Sequence, residues 1–290
     1  MTLLPMFRYE CPDSLSRLEE VLLSSSARPT FLSGGTDLIP AMRAGKVDPS
    51  LVIDLKRVPD LTGVRETTSG LWIGALTPVQ TLRTNDHVRQ RATALRDCAQ
   101  YFASWQVRNR ATVGGNLGNG APTADTAAPL VALGAEILTW RPLGGGRFSA
   151  DDFWVTAGET VLHEDEIITG VAVPLETNTS SAYIKLGPRE AMDIAIAGAA
   201  VMLRIEQGVL KGVRIGLGGA GSTPVRARTA EAFLLGRPLS DARFPEAGVL
   251  AADDCAPRTS RRASREYRLA VIPVLVERAL RLALERQQEQ

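Results

Sequence analysis

The sequence predicts a protein of mixed helices and strands that is divided into two unequal domains. In the first half of the chain, short apolar runs bounded by turn residues alternate with stretches in which apolar residues recur at helical spacing. Residues 174–181 are polar and rich in turn formers. Two further strand patterns and a long helical pattern follow them, so the organisation of the chain changes at this break.

The elements of the first part follow from local residue types. Asp13 or Ser14 is expected to cap a first helix, whose apolar face comprises Leu15, Leu18, Val21 and Leu22. Gly45 is expected to stop a short second helix. The predicted strands are residues 30–32, 51–53, 71–73 and 136–140, and the predicted helices are residues 38–44, 92–103 and 126–133.

The break at residues 174–181 sets the predicted domain boundary. Residues 1–177 form the first domain, with lobes of about 1–57 and 58–177, and residues 178–290 form the second. In the second domain, residues 199–205 and 212–217 are expected to pair as a hairpin through Glu206, Gln207 and Gly208. A helix over about 266–285 closes the chain.

The composition excludes several classes of protein. The chain has 290 residues and a formal charge of +1, so no electrostatic footprint indicates nucleic acid or an anionic membrane. No run reaches the roughly 18 apolar residues that a membrane helix needs. Three scattered cysteines and two isolated histidines predict neither a disulfide framework nor a metal site. The composition therefore predicts a cytoplasmic, reduced protein without a metal of its own.

The first glycine segment, residues 31–38, reads FLSGGTDL. An apolar strand enters two glycines and then a helix start, which lets a ligand approach the backbone closely and favours an anion such as phosphate. Asp37 would repel a diphosphate, so its side chain is expected to turn away and cap the following helix. A tight turn without a ligand is the alternative for this segment.

The second glycine segment, residues 110–125, reads RATVGGNLGNGAPTAD and holds four glycines and two asparagines within seven residues. Such a composition predicts neither a regular helix nor a strand. A diphosphate with a polar tail would explain the open backbone, because it could meet N–H groups together with Asn116, Thr123 and Asp125. An irregular loop packed on itself is the alternative.

Together the two segments resemble the FAD-binding (medium) subunit of the molybdenum hydroxylase family, which includes xanthine dehydrogenase, aldehyde oxidase and aerobic carbon monoxide dehydrogenase relatives. The resemblance covers almost the whole chain, and residues 106–116, QVRNRATVGGN, carry it most specifically. Residues 185–193 and 256–268 look most like the bacterial xanthine dehydrogenase flavin subunit, and less like carbon monoxide dehydrogenase.

The resemblance implies an α+β fold. Its first domain would be a two-lobed FAD-binding domain of the vanillyl-alcohol oxidase (PCMH) type, and its second a smaller α+β domain with an antiparallel sheet and helices. Because His87, His163 and the cysteines lie outside both glycine segments, FAD is expected to bind non-covalently.

The resemblance also implies the residues that bind FAD. The first segment would hold the diphosphate, the second would flank it and the ribityl chain, and Lys185 would lie near the isoalloxazine ring. Arg189 and Asp193 match mobile charged residues near that ring. The full expected set is Leu32, Ser33, Gly34, Gly35, Thr36, Asp37, Phe102, Ala111, Thr112, Val113, Gly114, Gly115, Asn116, Thr123, Asp125, Ile167 and Lys185, with no catalytic acid or base and no metal ligand.

The implied function is electron transfer within a heterotrimer or a dimer of heterotrimers. A large partner subunit would carry the molybdenum cofactor, a small one would carry two 2Fe-2S clusters, and FAD in this chain would pass electrons to NAD+ or another acceptor. A related hydroxylase acting on aldehydes, carbon monoxide, nicotine, caffeine or other N-heterocycles is one alternative. A stand-alone flavin oxidoreductase and a non-enzymatic nucleotide-binding subunit are the others.

The sequence leaves one basic stretch open. Arg258, Arg261, Arg262, Arg265 and Arg268 form either a solvated face or a contact surface for a partner subunit.

Overall fold

The computed structural model describes residues 4–189 and 192–289. Glu190 and Ala191, which belong to the segment 185–193 singled out above, lie outside the described residues. Within the described residues, no helix combines the length and the apolar character that a membrane span requires.

The first lobe is built on a small parallel sheet. Its elements in chain order are β1 (Arg8–Glu10), α1 (Leu15–Ser24), β2 (Pro29–Leu32), α2 (Leu38–Arg43) and β3 (Leu51–Asp54), with strand order β1-β3-β2. Ser14 caps α1, because its hydroxyl accepts a hydrogen bond from the amide of Arg17 at 3.2 Å. Leu18 and Val21 of α1 pack with Leu51 and Ile53 of β3, as the apolar spacing predicted.

The second lobe surrounds a five-stranded antiparallel sheet of order β4-β5-β10-β6-β7. Leu71 and Ile73 of β5 are buried against apolar side chains of the short helices, and this forms the largest core of the molecule. The elements are β4 (Val64–Thr67), β5 (Gly70–Gly74), α3 (Val79–Thr84), α4 (Asp86–Arg91), α5 (Thr93–Tyr101), α6 (Trp105–Arg108), α7 (Val113–Gly118), α8 (Ala127–Ala132), β6 (Glu136–Trp140), β7 (Arg147–Ser149), β8 (Trp154–Thr156), β9 (Glu159–Thr160) and β10 (Ile167–Pro174).

The C-terminal part is an antiparallel sheet of order β11-β12-β13-β14 with helices packed on it. The predicted hairpin is confirmed, and Gln207 and Gly208 at its turn have φ of 51° and 72°, the positive values that a tight hairpin requires. The elements are β11 (Thr179–Leu186), β12 (Ala197–Glu206), β13 (Val209–Gly218), β14 (Val225–Arg226), α9 (Arg228–Leu234), α10 (Phe244–Ala251) and α11 (Arg265–Gln288).

The polar break predicted at residues 174–181 is shorter than its composition suggested. Strand β10 continues to Pro174 and β11 begins at Thr179. Ser180 and Ser181 are buried rather than in a turn, because the protein itself satisfies their hydroxyls. The Ser180 hydroxyl donates to the carbonyl of Ala283 at 2.7 Å, and the Ser181 hydroxyl accepts from the amide of Ala94 at 3.1 Å.

Largely buried carboxylates of the first 177 residues meet cations of the C-terminal part. Asp97 of α5 receives two hydrogen bonds from Arg286 of α11, at 2.6 and 3.0 Å. Asp151 accepts from Arg214, Arg226 and Arg228, at 2.8, 2.8 and 3.2 Å. Because a shielded carboxylate is costly without a partner, these pairs fix how the C-terminal sheet and α11 pack against α5 and the turn that follows β7.

Replacing Arg286 by Met should lower the free energy of unfolding by about 2 kcal/mol, because the buried Asp97 loses its bidentate contact with α11 and keeps only Arg96 as a cation. Arg281→Met, on the same helix, is the matched control. Arg281 pairs with Glu277 on the surface, so its loss should cost roughly 0.5 kcal/mol or less. Urea unfolding of both variants measures the difference, and equal losses would show that the Asp97 contact does not fix α11.

Candidate functional site

A cavity of about 520 Å³ lies between the two glycine segments. The first segment reaches it from the carboxyl end of β2, and the second reaches it through α7. The start of β10 and Phe102, at the end of α5, supply apolar walls. A cavity of this size, with an apolar lining and few polar groups, is typical of a site for a small molecule or a cofactor.

The first glycine segment presents free hydrogen-bond donors. The amides of Gly34, Gly35 and Thr36 have no acceptor within residues 4–189 and 192–289, although all three residues line the cavity. Gly35 has φ of 72°, which glycine adopts without strain. Consecutive amides without a partner form a ready site for a negatively charged group.

The second glycine segment is not the open loop that its composition predicted. Residues 113–118 form α7, which Thr112 caps by accepting from the amide of Gly115 at 3.1 Å. Val113 and Leu117 anchor the helix in the core, and this packing outweighs the poor helix propensity of glycine. A Cβ on Gly114 would lie 2.7 Å from the Cβ of Ala75, so only glycine lets α7 pack this closely.

The first amides of α7 are already occupied. Val113 donates to the carbonyl of Thr77 at 3.0 Å, and Gly114 donates to the carbonyl of Ala75 at 2.7 Å. The expectation that this segment offers open backbone N–H groups to a ligand is therefore wrong for these two residues. The second segment contributes glycine backbone and the side chain of Asn116 to the cavity lining. Asn116 Oδ1 accepts a hydrogen bond from the Thr126 hydroxyl at 2.7 Å.

The two segments touch directly. A Cβ on Gly34 would overlap the carbonyl oxygen of Arg110 and lie 2.7 Å from its carbonyl carbon. Beside this contact, the hydroxyl of Thr112 donates to that of Ser33 at 3.1 Å. Because the contact leaves no room for a side chain, the spacing of the two segments depends on glycine at position 34.

Asp37 does not cap α2 through its side chain, contrary to the sequence-based expectation. Its backbone is already near helical, with φ of −106° and ψ of −46°, whereas a capping carboxylate needs an extended backbone to reach the next amides. The side chain is exposed at the cavity rim instead.

The cavity brings together twelve of the seventeen residues expected at the site. These are Ser33, Gly34, Gly35, Thr36, Asp37, Phe102, Ala111, Thr112, Gly114, Gly115, Asn116 and Ile167. The other five, Leu32, Val113, Thr123, Asp125 and Lys185, lie outside the lining.

Asp125 and Lys185 form a buried ion pair instead of facing the cavity. Lys185 Nζ lies 2.7 Å from Asp125 Oδ2, and the two side chains are only 5% and 9% exposed. Burial raises the pKa of Asp125 above its usual value, and Lys185 and the Tyr183 hydroxyl oppose that rise. Lys185 also donates to the carbonyl of Tyr101 at 3.1 Å, directly before the cavity residue Phe102. The pair therefore adjoins the cavity without lining it.

Arg189 and Asp193 follow Lys185 along the chain, and Arg189 is exposed whereas Asp193 is partly buried. Arg189 Nε donates to Asp193 Oδ2 at 2.8 Å, and this hydrogen bond lowers the pKa of Asp193. The two residues therefore neutralise each other.

Glu166 is a cavity residue that sequence reasoning missed. It is buried at the cavity wall, accepts a hydrogen bond from the Thr139 hydroxyl, and accepts another from the amide of His163 at 3.2 Å. A carboxylate directly before an apolar strand gave only a weak signal, because such residues usually face solvent. The imidazole of His163 is exposed and is not part of the lining. Within the described residues, no group of three or more potential ligand side chains could hold a metal ion.

Comparisons with known proteins match both parts of the chain. A family model for the FAD binding domain in molybdopterin dehydrogenase matches residues 5–176, and one for the CO dehydrogenase flavoprotein C-terminal domain matches residues 182–283. The solved carbon monoxide dehydrogenase of Hydrogenophaga pseudoflava that lacks the Mo-pyranopterin moiety superposes with a TM-score of 0.91 at 34% identity, covering 98% of this chain and 99% of that chain. The predicted fold class is confirmed.

Relatives named for different substrates are similarly close in sequence. The carbon monoxide dehydrogenase medium chain of Hydrogenophaga pseudoflava is 32% identical over 283 residues, 97% of this chain and 98% of that protein. The xanthine dehydrogenase FAD-binding subunit of Escherichia coli O157:H7 is 30% identical over 262 residues, 89% of this chain and 90% of that protein. These identities do not separate the substrate classes.

The contact between the glycine segments predicts the effect of one added methyl group. Gly34→Ala should separate the two segments and weaken FAD binding by more than about tenfold. Gly218→Ala is the matched control, since its Cβ would meet only the Cβ of Ala128 at an ordinary 3.7 Å. Flavin fluorescence titration of both variants tests this, with circular dichroism to confirm folding. Wild-type affinity in Gly34→Ala would refute the role of the contact.

Proposed function

Since the chain belongs to the family of FAD-binding subunits of molybdenum hydroxylases, we propose that its cavity holds FAD with the diphosphate on the first glycine segment. The observation that carries this proposal is the row of amides at Gly34, Gly35 and Thr36 that find no acceptor in the described part of the chain. FAD, when bound, supplies the redox chemistry that takes electrons from partner 2Fe-2S clusters and delivers them to an acceptor. The protein's part is to bind and orient it.

The remaining site residues divide by position. Ala111 to Asn116 would flank the diphosphate and the ribityl chain, and Phe102 and Ile167 would pack against the cofactor with apolar surface. Leu32 and Val113 would support the two segments from behind. Thr123, Asp125 and Lys185 lie outside the cavity lining, so their proposed contacts with FAD require the ring end of the cofactor to extend past Phe102.

We also propose that the chain divides into two domains, residues 1–177 and residues 178–290. This division is supported by the separate apolar core of the C-terminal part, in which Leu203 and Ile215 of the sheet pack against Val276 and Leu280 of α11. The short connection between β10 and β11 contains the proposed boundary.

The chain is proposed to work inside a complex. Relatives are medium subunits of multi-subunit enzymes, such as the nicotine 6-hydroxylase medium subunit of Paenarthrobacter nicotinovorans. We assign a small 2Fe-2S subunit and a large molybdenum-cofactor subunit as partners, in a heterotrimer or a dimer of heterotrimers. Xanthine-like substrates and NAD+ as acceptor are the first candidates for the complex. Proteins that co-purify with the tagged chain from its native host test the partners directly.

Of the five arginines in the basic stretch at residues 258–268, one is buried and four are exposed. Arg268 is buried and donates to the carbonyl of Ile196 and to the hydroxyl of Ser260, so it is part of the fold. Arg258, Arg261, Arg262 and Arg265 are exposed and, within the described residues, form no ion pair with a carboxylate. Their exposure leaves them available to a partner subunit.

The purified chain should be yellow, and acid precipitation should release intact FAD into the supernatant, because binding is non-covalent. The absorption spectrum and chromatography of the released flavin measure this. A correctly folded, colourless chain that takes up no added FAD would overturn the proposed function. Flavin that stays with the precipitate would refute only its non-covalent attachment.

The isolated chain should not turn over a hydroxylase substrate, because the proposed complex places that chemistry in the large partner. An assay of the FAD-loaded chain with xanthine and NAD+ checks this, and NADH oxidation with an artificial dye serves as the positive control. Hydroxylation of xanthine by the chain alone would instead support a stand-alone flavin oxidoreductase.

A further inference from the structure

The side chain of Lys56, two residues after the end of β3, reaches the first glycine segment. Strands β2 and β3 are parallel, and Leu32 pairs with Asp54, so both chains leave the sheet at the same edge. Directly beyond that edge, Lys56 Nζ donates to the carbonyl oxygen of Ser33 at 3.3 Å. Lys56 is one of only four lysines in a chain with 29 arginines. Nothing in the sequence pattern of the glycine segments pointed to it.

Asp54 fixes the position of the Lys56 ammonium. Its Oδ2 lies 2.6 Å from Lys56 Nζ and accepts the Tyr9 hydroxyl at 2.8 Å, while its Oδ1 accepts the Lys56 amide at 3.0 Å. Burial raises the pKa of Asp54, but the hydrogen bonds from Lys56 and Tyr9 outweigh it and hold the pKa below its usual value. Asp54 therefore stays ionised at neutral pH, and the lysine is held from one side.

The bond from Lys56 orients the peptide between Ser33 and Gly34. A trans peptide is planar, and its C=O and N–H point in opposite directions. No cis peptide occurs among the described residues, so drawing the Ser33 carbonyl toward Lys56 turns the Gly34 N–H away from it. That N–H is one of the amides without an acceptor within the described residues.

We propose that Lys56 is a positioning residue for FAD binding: held by Asp54, it fixes the Ser33 carbonyl so that the Gly34 amide is pre-oriented for a diphosphate oxygen. This inference rests on the proposed function. Its ligand class is the diphosphate itself, which FAD shares with simpler nucleotides such as ADP. Pre-orientation lowers the ordering cost of binding, so its loss weakens every ligand that uses this amide.

The test compares three variants of the full chain. Lys56→Met removes the donor, Lys56→Arg keeps a charged donor, and Lys211→Met removes an exposed lysine on β13 that lies outside the cavity lining. The dissociation constants of FAD, by flavin fluorescence, and of ADP, by competition, are measured for each. Thermal unfolding without ligand reports whether each variant is folded. If Lys56→Met does not fold, Lys56→Gln takes its place.

Lys56→Met should raise the dissociation constants of FAD and ADP by a similar factor of about ten. Its unfolding temperature should fall modestly, because the buried Asp54 loses its cation, while the chain stays folded at the temperature of the titration. Lys56→Arg should recover most of the affinity, and Lys211→Met should match the wild type. Wild-type FAD affinity in Lys56→Met, or equal weakening in Lys56→Arg, would overturn the inference but leave the proposed function intact. A wild-type chain that binds no FAD would remove the proposed function itself.

Discussion

The site depends on the direct contact between two backbone segments that are far apart in sequence. Gly34 lies so close to the Arg110 carbonyl that a side chain there would overlap it, and the hydroxyls of Ser33 and Thr112 bond across the same gap. The two segments contribute unequally to the proposed site. The first carries amides that have no acceptor among residues 4–189 and 192–289, whereas the leading amides of α7 are bound to Thr77 and Ala75. The second segment therefore shapes the cavity, and in the proposed site the first segment would recognise the anion.

The C-terminal part is attached by charge as well as by apolar packing. Asp97 and Asp125 are buried and the side chain of Asp151 is only 9% exposed, and each meets at least one cation that comes from beyond residue 177. The formal charge of the whole chain, +1, gives no indication of these pairs. One of them, Asp125 with Lys185, lies next to Phe102 at the cavity wall. A pair that attaches the C-terminal part is thus a direct neighbour of Phe102, which forms part of the apolar cavity wall.

Many helices and strands could be predicted from the sequence, because apolar spacing and turn residues determine them from nearby residues alone. The first helix with its Ser14 cap, the β12–β13 hairpin and the final helix all appear close to the predicted bounds. Three features were not readable, because they depend on contacts between distant residues. Burial of Val113 and Leu117 folds a glycine-rich segment into a helix, the ion pair with Lys185 draws Asp125 from the cavity, and parallel strands bring Lys56 to Ser33.

A crystal structure of the full chain with FAD tests the central claim most directly. The account predicts diphosphate oxygens within about 3 Å of the amides of Gly34, Gly35 and Thr36, with α7 packed alongside and its leading amides still bound to Ala75 and Thr77. A diphosphate bound elsewhere, with those three amides facing solvent, would contradict it.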